Sequence, residues 1–114
     1  MNLPERDTAY LKHILESIEL IEEYMKSVSK EDFDNNQQLQ DSVVRRFEII
    51  GEACRLVSED LKKQFPEILW REAIDMRNVL IHAYFGIDYQ IIWNTIEIEL
   101  PILKKQITML ITPD

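Results

Sequence analysis

The chain has 114 residues, 46% of them hydrophobic and 30% charged, with two Gly, four Pro, one Cys and a formal net charge of −8 at pH 7. That length fits one domain over residues 1–114 and is enough to bury a core. A lone Cys54 excludes a disulfide framework, and without a second Cys or a suitably spaced His no metal site and no cofactor is expected.

Scarce Gly and Pro in a sequence rich in Leu, Ile, Glu and Lys predict an all-α fold of long helices and short connections. No run of about 18 apolar residues offers a membrane span. The start, Met-Asn-Leu-Pro-Glu-Arg-Asp, has neither the basic residues nor the apolar stretch of a signal peptide, so the expected location is the cytoplasm, away from membranes. The acidity is uneven: residues 1–41 carry ten acids and four bases, residues 42–82 seven of each, and residues 83–114 four acids and two bases. A broad basic face for nucleic acid is excluded, whereas a small positive cleft in the central third is not.

In chain order, Leu3 to Val28 reads as a first long helix. Tyr10, Ile14, Ile18, Ile21 and Met25 recur at three- and four-residue steps, and Pro4, Glu5 and Asp7 suit its first turn. His13, between Lys12 and Glu16 and off the apolar stripe, reads as a solvated surface histidine with no partner for chemistry. Ser29 and Asp32 make a capping box for a short helix over Lys30 to Asp34. A second long helix runs from Gln37 to Val57, with Leu39, Val43, Phe47, Ile50, Cys54 and Val57 inward. Gly51 interrupts it at a cost of about 1 kcal/mol relative to Ala, which is tolerable where another helix crosses close by. Ser58 caps a short helix over Glu59 to Gln64 that ends before Pro66.

The next segment, Ile68 to Phe85, gathers an arginine, an asparagine, a histidine and a tyrosine within Met76-Arg-Asn-Val-Leu-Ile-His-Ala-Tyr84. At about 100° per residue, Leu69, Ala73, Met76, Val79, Leu80 and Ala83 share one arc, the expected core face. Arg77, Asn78, His82 and Tyr84 then fall on the opposite half with Ile74, Ile81 and Phe85. Apolar groups beside reactive ones predict a surface covered by a partner, with a cleft at the join. Gly86 supplies the expected stop and Asp88 caps a last helical region that Pro101 should bend or divide near Glu97 to Glu99. Four substantial helices predict an antiparallel bundle, and the apolar surplus predicts a homodimer. Trp70 and Trp93 read as core or interface anchors.

Arginine presents a permanently charged fork that matches phosphate oxygens, and histidine moves protons near neutral pH. Together they suffice to cleave RNA without a metal, the histidine acting on the 2′-OH or the leaving 5′-oxygen and the arginine holding the phosphate. Asn78 could orient the imidazole or bond the phosphate. One histidine does not easily serve as acid and base at once, so a dimer with two around one cleft would make the site composite. Arg and His five apart on a helix also occur by chance, forming only surface hydrogen bonds.

Arg77-x-x-x-x-His82-x-Tyr84, with Ile49-Ile50-Gly51-Glu52-Ala53 before it and Phe85-Gly86-Ile87-Asp88, Trp93 and Leu100-Pro101 after it, resembles the HEPN (higher eukaryotes and prokaryotes nucleotide-binding) superfamily. Within it the chain is similar to the DUF86 branch that contains the HepT toxins. The likeness runs from Arg6-Asp7 and His13-Ile14-Leu15 through Arg45-Arg46-Phe47 to Leu100-Pro101. It implies a helical bundle that dimerises with the motif helices facing across a cleft, and a metal-independent endoribonuclease of a type VII-like toxin–antitoxin pair, leaving a 2′,3′-cyclic phosphate. Arg77 and His82 carry over as the catalytic pair, with Asn78 as polar neighbour. Tyr84 matches the tyrosine to which a nucleotidyltransferase antitoxin of the MntA type attaches AMP. Glu52 matches a recurring position whose role, cleft or helix crossing, stays open. Ala83 stands where relatives often carry a polar residue. The competing readings are a non-catalytic helical adaptor that binds a nucleotidyltransferase or nucleotide through the same cleft, and a plain structural bundle.

Overall fold

The structure, a computed structural model, describes residues 3–83 and 85–112. Its elements are α1 (Glu5–Tyr24), α2 (Lys30–Asp34), α3 (Gln37–Leu56), α4 (Glu59–Gln64), α5 (Trp70–His82), α6 (Tyr89–Glu97) and α7 (Glu99–Ile111), with no strand among the described residues. The all-α expectation is met, and most boundaries follow from local chemistry. Ser29 and Asp32 form the reciprocal capping box of α2. Asn36, Ser58 and Asp88 each accept a backbone N–H at the starts of α3, α4 and α6. Pro101 divides the last region as expected, since a proline there removes one helical donor, and the break falls at Ile98.

Two ends differ from expectation. α1 stops at Tyr24 rather than Val28, because the chain turns through Ser27 at φ 62°, a left-handed conformation that no helix continues. α5 stops at His82 rather than Phe85, and Gly86 is not its left-handed stop: no glycine has positive φ, and the Gly86 N–H donates to the Ala83 carbonyl in the turn that follows.

The core is built by α1 (Leu11, Ile14, Ile18, Ile21), α3 (Val43, Phe47, Ile50, Cys54) and α7 (Leu100, Leu103, Ile107), with Phe33 of α2 and Ile92 of α6 closing one end. Each such side chain stabilises the fold by about 1.5–3 kcal/mol on burial. Trp70 is buried and donates its indole N–H to the Phe65 carbonyl, whereas Trp93 is half-buried at 5.8 Å from the Phe33 ring. α3 is the central element, packing most extensively on α5 and α1. Gln106 of α7 ties down the approach to α5, accepting from the Leu69 N–H at 3.0 Å and donating to the Glu67 carbonyl at 2.9 Å.

A buried carboxylate joins the two ends of the α1–α3 layer. Asp7 is 2% exposed, and its oxygens accept from the Ser58 N–H at 2.9 Å and the Ser58 hydroxyl at 2.6 Å. That same hydroxyl accepts from the Leu61 N–H, so Asp7 orients the cap of α4. Asp7→Ala should lower stability by about 1.5–3 kcal/mol, because it strands a polar group in the interior; a thermal melt matching the parent would contradict this.

The expected helix crossing at Gly51 is present. A Cβ placed there would fall inside contact distance of the Arg77 Cβ and 2.7 Å from the Ala73 carbonyl oxygen. Backbone atoms cannot swing aside as a side-chain end can. Gly51→Ala, although a better helix former, should therefore destabilise by about 1–3 kcal/mol through overpacking. A variant as stable as the parent in denaturant titration would show that α5 does not approach so closely.

Candidate functional site

The close approach at Gly51 decides which face of α5 is inward. Trp70 and Leu80, 5% exposed each, flank Arg77 around the helix at about 20° and −60°. Val79, expected in the core arc, is 58% exposed. The inward face is thus turned toward Arg77, which corrects the placement of that residue on the outer half: its Cβ rests on α3 and only its guanidinium extends outward. Ile74, also expected outside, is half-buried against the core. Asn78 and His82 are exposed, as expected. Tyr84 lies outside the described residues.

The guanidinium is held at both terminal nitrogens. Nη1 donates to the Asn78 side-chain oxygen at 3.1 Å, and Nη2 stands 3.8 Å from Glu52 Oε1. Glu52 is in turn gripped by Arg55 of the same helix, which donates from Nε at 2.7 Å and from Nη2 at 3.0 Å. The hydrogen bonds from Arg55 are the largest influence on the Glu52 carboxyl and lower its pKa, partial burial opposes them, and the charges of Arg55 and Arg77 add to the lowering. The acid therefore stays ionised and bridges two arginines. Glu52 lines the cleft beside Arg77, one residue past the crossing glycine.

His82 is set by the backbone of the same helix. Its Nδ1 lies 2.8 Å from the Asn78 carbonyl oxygen, and a carbonyl only accepts, so a neutral ring carries its proton on Nδ1 and leaves Nε2 as a base. Asn78 thus touches both partners, Arg77 through its side chain and His82 through its carbonyl.

Arg77 and Glu52 line an open cleft between α1, α3 and α5, together with Arg45, Glu48, Tyr10, Ile81 and His13. His82 does not line it; it follows Ile81 and is turned about 100° away around α5. His13 is exposed, as expected, but not without neighbours. Its ring meets Tyr10 edge-on, with centroids 6.4 Å apart, and Tyr10 lies under the Arg6 guanidinium at 5.6 Å. Positions 13 and 77 are brought together only by the packing of α1 and α5 on α3; the local sign was an aromatic residue one turn from a histidine. Cys54 is buried and its thiol is pushed up to about 12 by desolvation, so it stays protonated and takes no part. Among the described residues no three His, Cys, Asp or Glu side chains are grouped to hold a metal ion, and no helix is long and apolar enough to cross a membrane.

Residues 14–110 match the family model described as "HepT-like: Ribonuclease HepT-like". A protein of Methanocaldococcus jannaschii named a gamma-glutamylcyclotransferase and putative RNase is 46% identical over 98 residues, 86% of this chain; the chain spans only 44% of that relative. A putative RNase of the same organism is 40% identical over 106 residues, covering 92% of this chain and 97% of its own length. The "Probable ribonuclease HepT" of Thermococcus cleftensis is 47% identical over 95 residues, 83% of this chain and 86% of its own. No solved structure matches the chain. The matched span takes in the crossing glycine, Glu52, the arginine and the histidine, and the chain belongs to the HepT-like ribonuclease family.

Proposed function

We propose that the chain is a metal-independent endoribonuclease toxin that cleaves RNA at a site shared between two copies, Arg77 of one and His82 of the other acting on one phosphodiester. The observation that carries this reading is the division of labour on α5. Arg77 is fixed at the edge of its own cleft by Asn78 and Glu52, while His82 faces away from that cleft with one ring nitrogen already oriented. The names borne by the relatives point to the same chemistry. Val79, Ile81 and Phe85, at 58%, 41% and 84% exposure, surround the histidine with apolar surface suited to a second copy.

In the reaction, His82 Nε2 takes the proton of a ribose 2′-OH and the 2′-oxygen attacks phosphorus. Arg77 bears the charge that grows on the phosphoryl oxygens, and the bond to the 5′-oxygen breaks to leave a 2′,3′-cyclic phosphate and a 5′-hydroxyl. Glu52 keeps the guanidinium in place without neutralising it, since that carboxylate is already shared with Arg55. The protein acts in the cytoplasm, where its RNA substrate is.

Regulation falls to Tyr84 and an MntA-like nucleotidyltransferase antitoxin. Because α5 ends at His82, helical spacing does not fix the direction of Tyr84; its place two residues beyond the histidine is what matters. An adenylate two residues along the chain from His82 would add negative charge and bulk that oppose the RNA phosphate.

Arg77→Ala and His82→Ala should each reduce RNA cleavage about 100-fold or more while the dimer persists. The parent should cut equally well in EDTA, with cyclic phosphate at the new ends. Variants as active as the parent would remove the catalytic assignment, and a parent that binds a nucleotidyltransferase but never cuts RNA would be an adaptor. Co-expression with the genomic neighbour should add one AMP-sized mass on Tyr84 and abolish cleavage, both lost in Tyr84→Phe. An increment on another residue would exclude this mode of control.

A further inference from the structure

Cleavage through a 2′,3′-cyclic phosphate moves two protons at opposite ends of the phosphorus, one off the 2′-oxygen and one onto the 5′-oxygen. His82 has Nδ1 committed to the Asn78 carbonyl, so only Nε2 is available, and one nitrogen cannot receive one proton and deliver another in the same step. The chain has two histidines. The other, His13, lies in the cleft that Arg77 lines.

We propose that His13 is the general acid, protonating the leaving 5′-oxygen of the phosphodiester held by Arg77 in the cleft between α1, α3 and α5. This rests on the ribonuclease reading above. The geometry supplies the requirements of such a group. The ring is exposed to an entering substrate and makes no hydrogen bond or ion pair among the described residues, while its edge-on contact with Tyr10 restrains its plane. Tyr10 is itself held by the Arg6 guanidinium above its ring. The charged groups that line the cleft with it are Arg45, Glu48 and Glu52 from α3 and Arg77 from α5, and Lys12 and Glu16 are its neighbours in sequence on α1.

The step balances. The O2′–P bond forms as the P–O5′ bond breaks; His82 gains the 2′ proton, His13 loses its own to the 5′-oxygen, and water restores both rings. A base that must be neutral and an acid that must be charged give activity that falls at both extremes of pH, the alkaline fall belonging to His13.

A leaving group that needs no proton tests the assignment. His13→Gln keeps the bulk beside Tyr10 at an exposed site. On ordinary RNA it should cut about 100-fold more slowly than the parent and lose the alkaline fall. On the same RNA carrying sulfur in place of the 5′-oxygen at the cut bond, which departs as thiolate, it should return to within about tenfold of the parent, while His82→Ala stays impaired on both. Parent-like cleavage of ordinary RNA by His13→Gln, or an equal loss on both substrates, would overturn the inference and leave the ribonuclease reading standing. A parent inactive on ordinary RNA would overturn both.

Discussion

The crossing of α3 and α5 at Gly51 governs the site. With no side chain at that position, the α5 backbone comes near enough that the Ala73 carbonyl and the Arg77 Cβ occupy the space a Cβ would need. An arginine so placed has its stem buried and its charge at the surface, and the ordering cost of a long side chain is met by packing rather than by the ligand. The next residue of α3, Glu52, then falls beside the guanidinium. Crossing, anchoring and electrostatics therefore follow from one glycine.

The surrounding charges leave the Arg77 end of the cleft positive in a chain of net charge −8. Glu52 accepts two hydrogen bonds from Arg55 while standing 3.8 Å from Arg77, so one carboxylate serves two guanidinium groups and a net positive charge remains. Arg45 and Glu48, 3.8 Å apart on the exposed rim, offset each other and contribute little. The local field is set by fixed neighbours rather than by net charge, and it suits a single phosphate better than a long nucleic-acid track.

The helices and their order were legible in the sequence because their signals are local. Ser29, Ser58, Asp88 and Pro101 act within a few residues of themselves, and each does what its chemistry predicts. Spacing placed Leu69, Ala73, Met76 and Leu80 against the core, where they lie, but it also placed Val79 there and Arg77 outside, because the neighbouring glycine draws α5 in along an edge that spacing does not mark. It also missed the role of Asp7, which as a first-turn acid looks like a dipole partner yet reaches across the fold to hold Ser58, the cap of α4. The cleft that His13 lines was hidden for the same reason: the other residues of its wall on α3 and α5 lie 32 to 68 positions away, and only packing brings them near.

In the proposed site the guanidinium and the imidazole on one phosphodiester come from different copies of the chain. Mixing the separately inactive Arg77→Ala and His82→Ala proteins under conditions that exchange subunits tests it directly. A shared site predicts that each mixed dimer rebuilds one intact pair, restoring about a quarter of parental RNA cleavage at equal proportions. A mixture as inactive as its components would contradict the shared site.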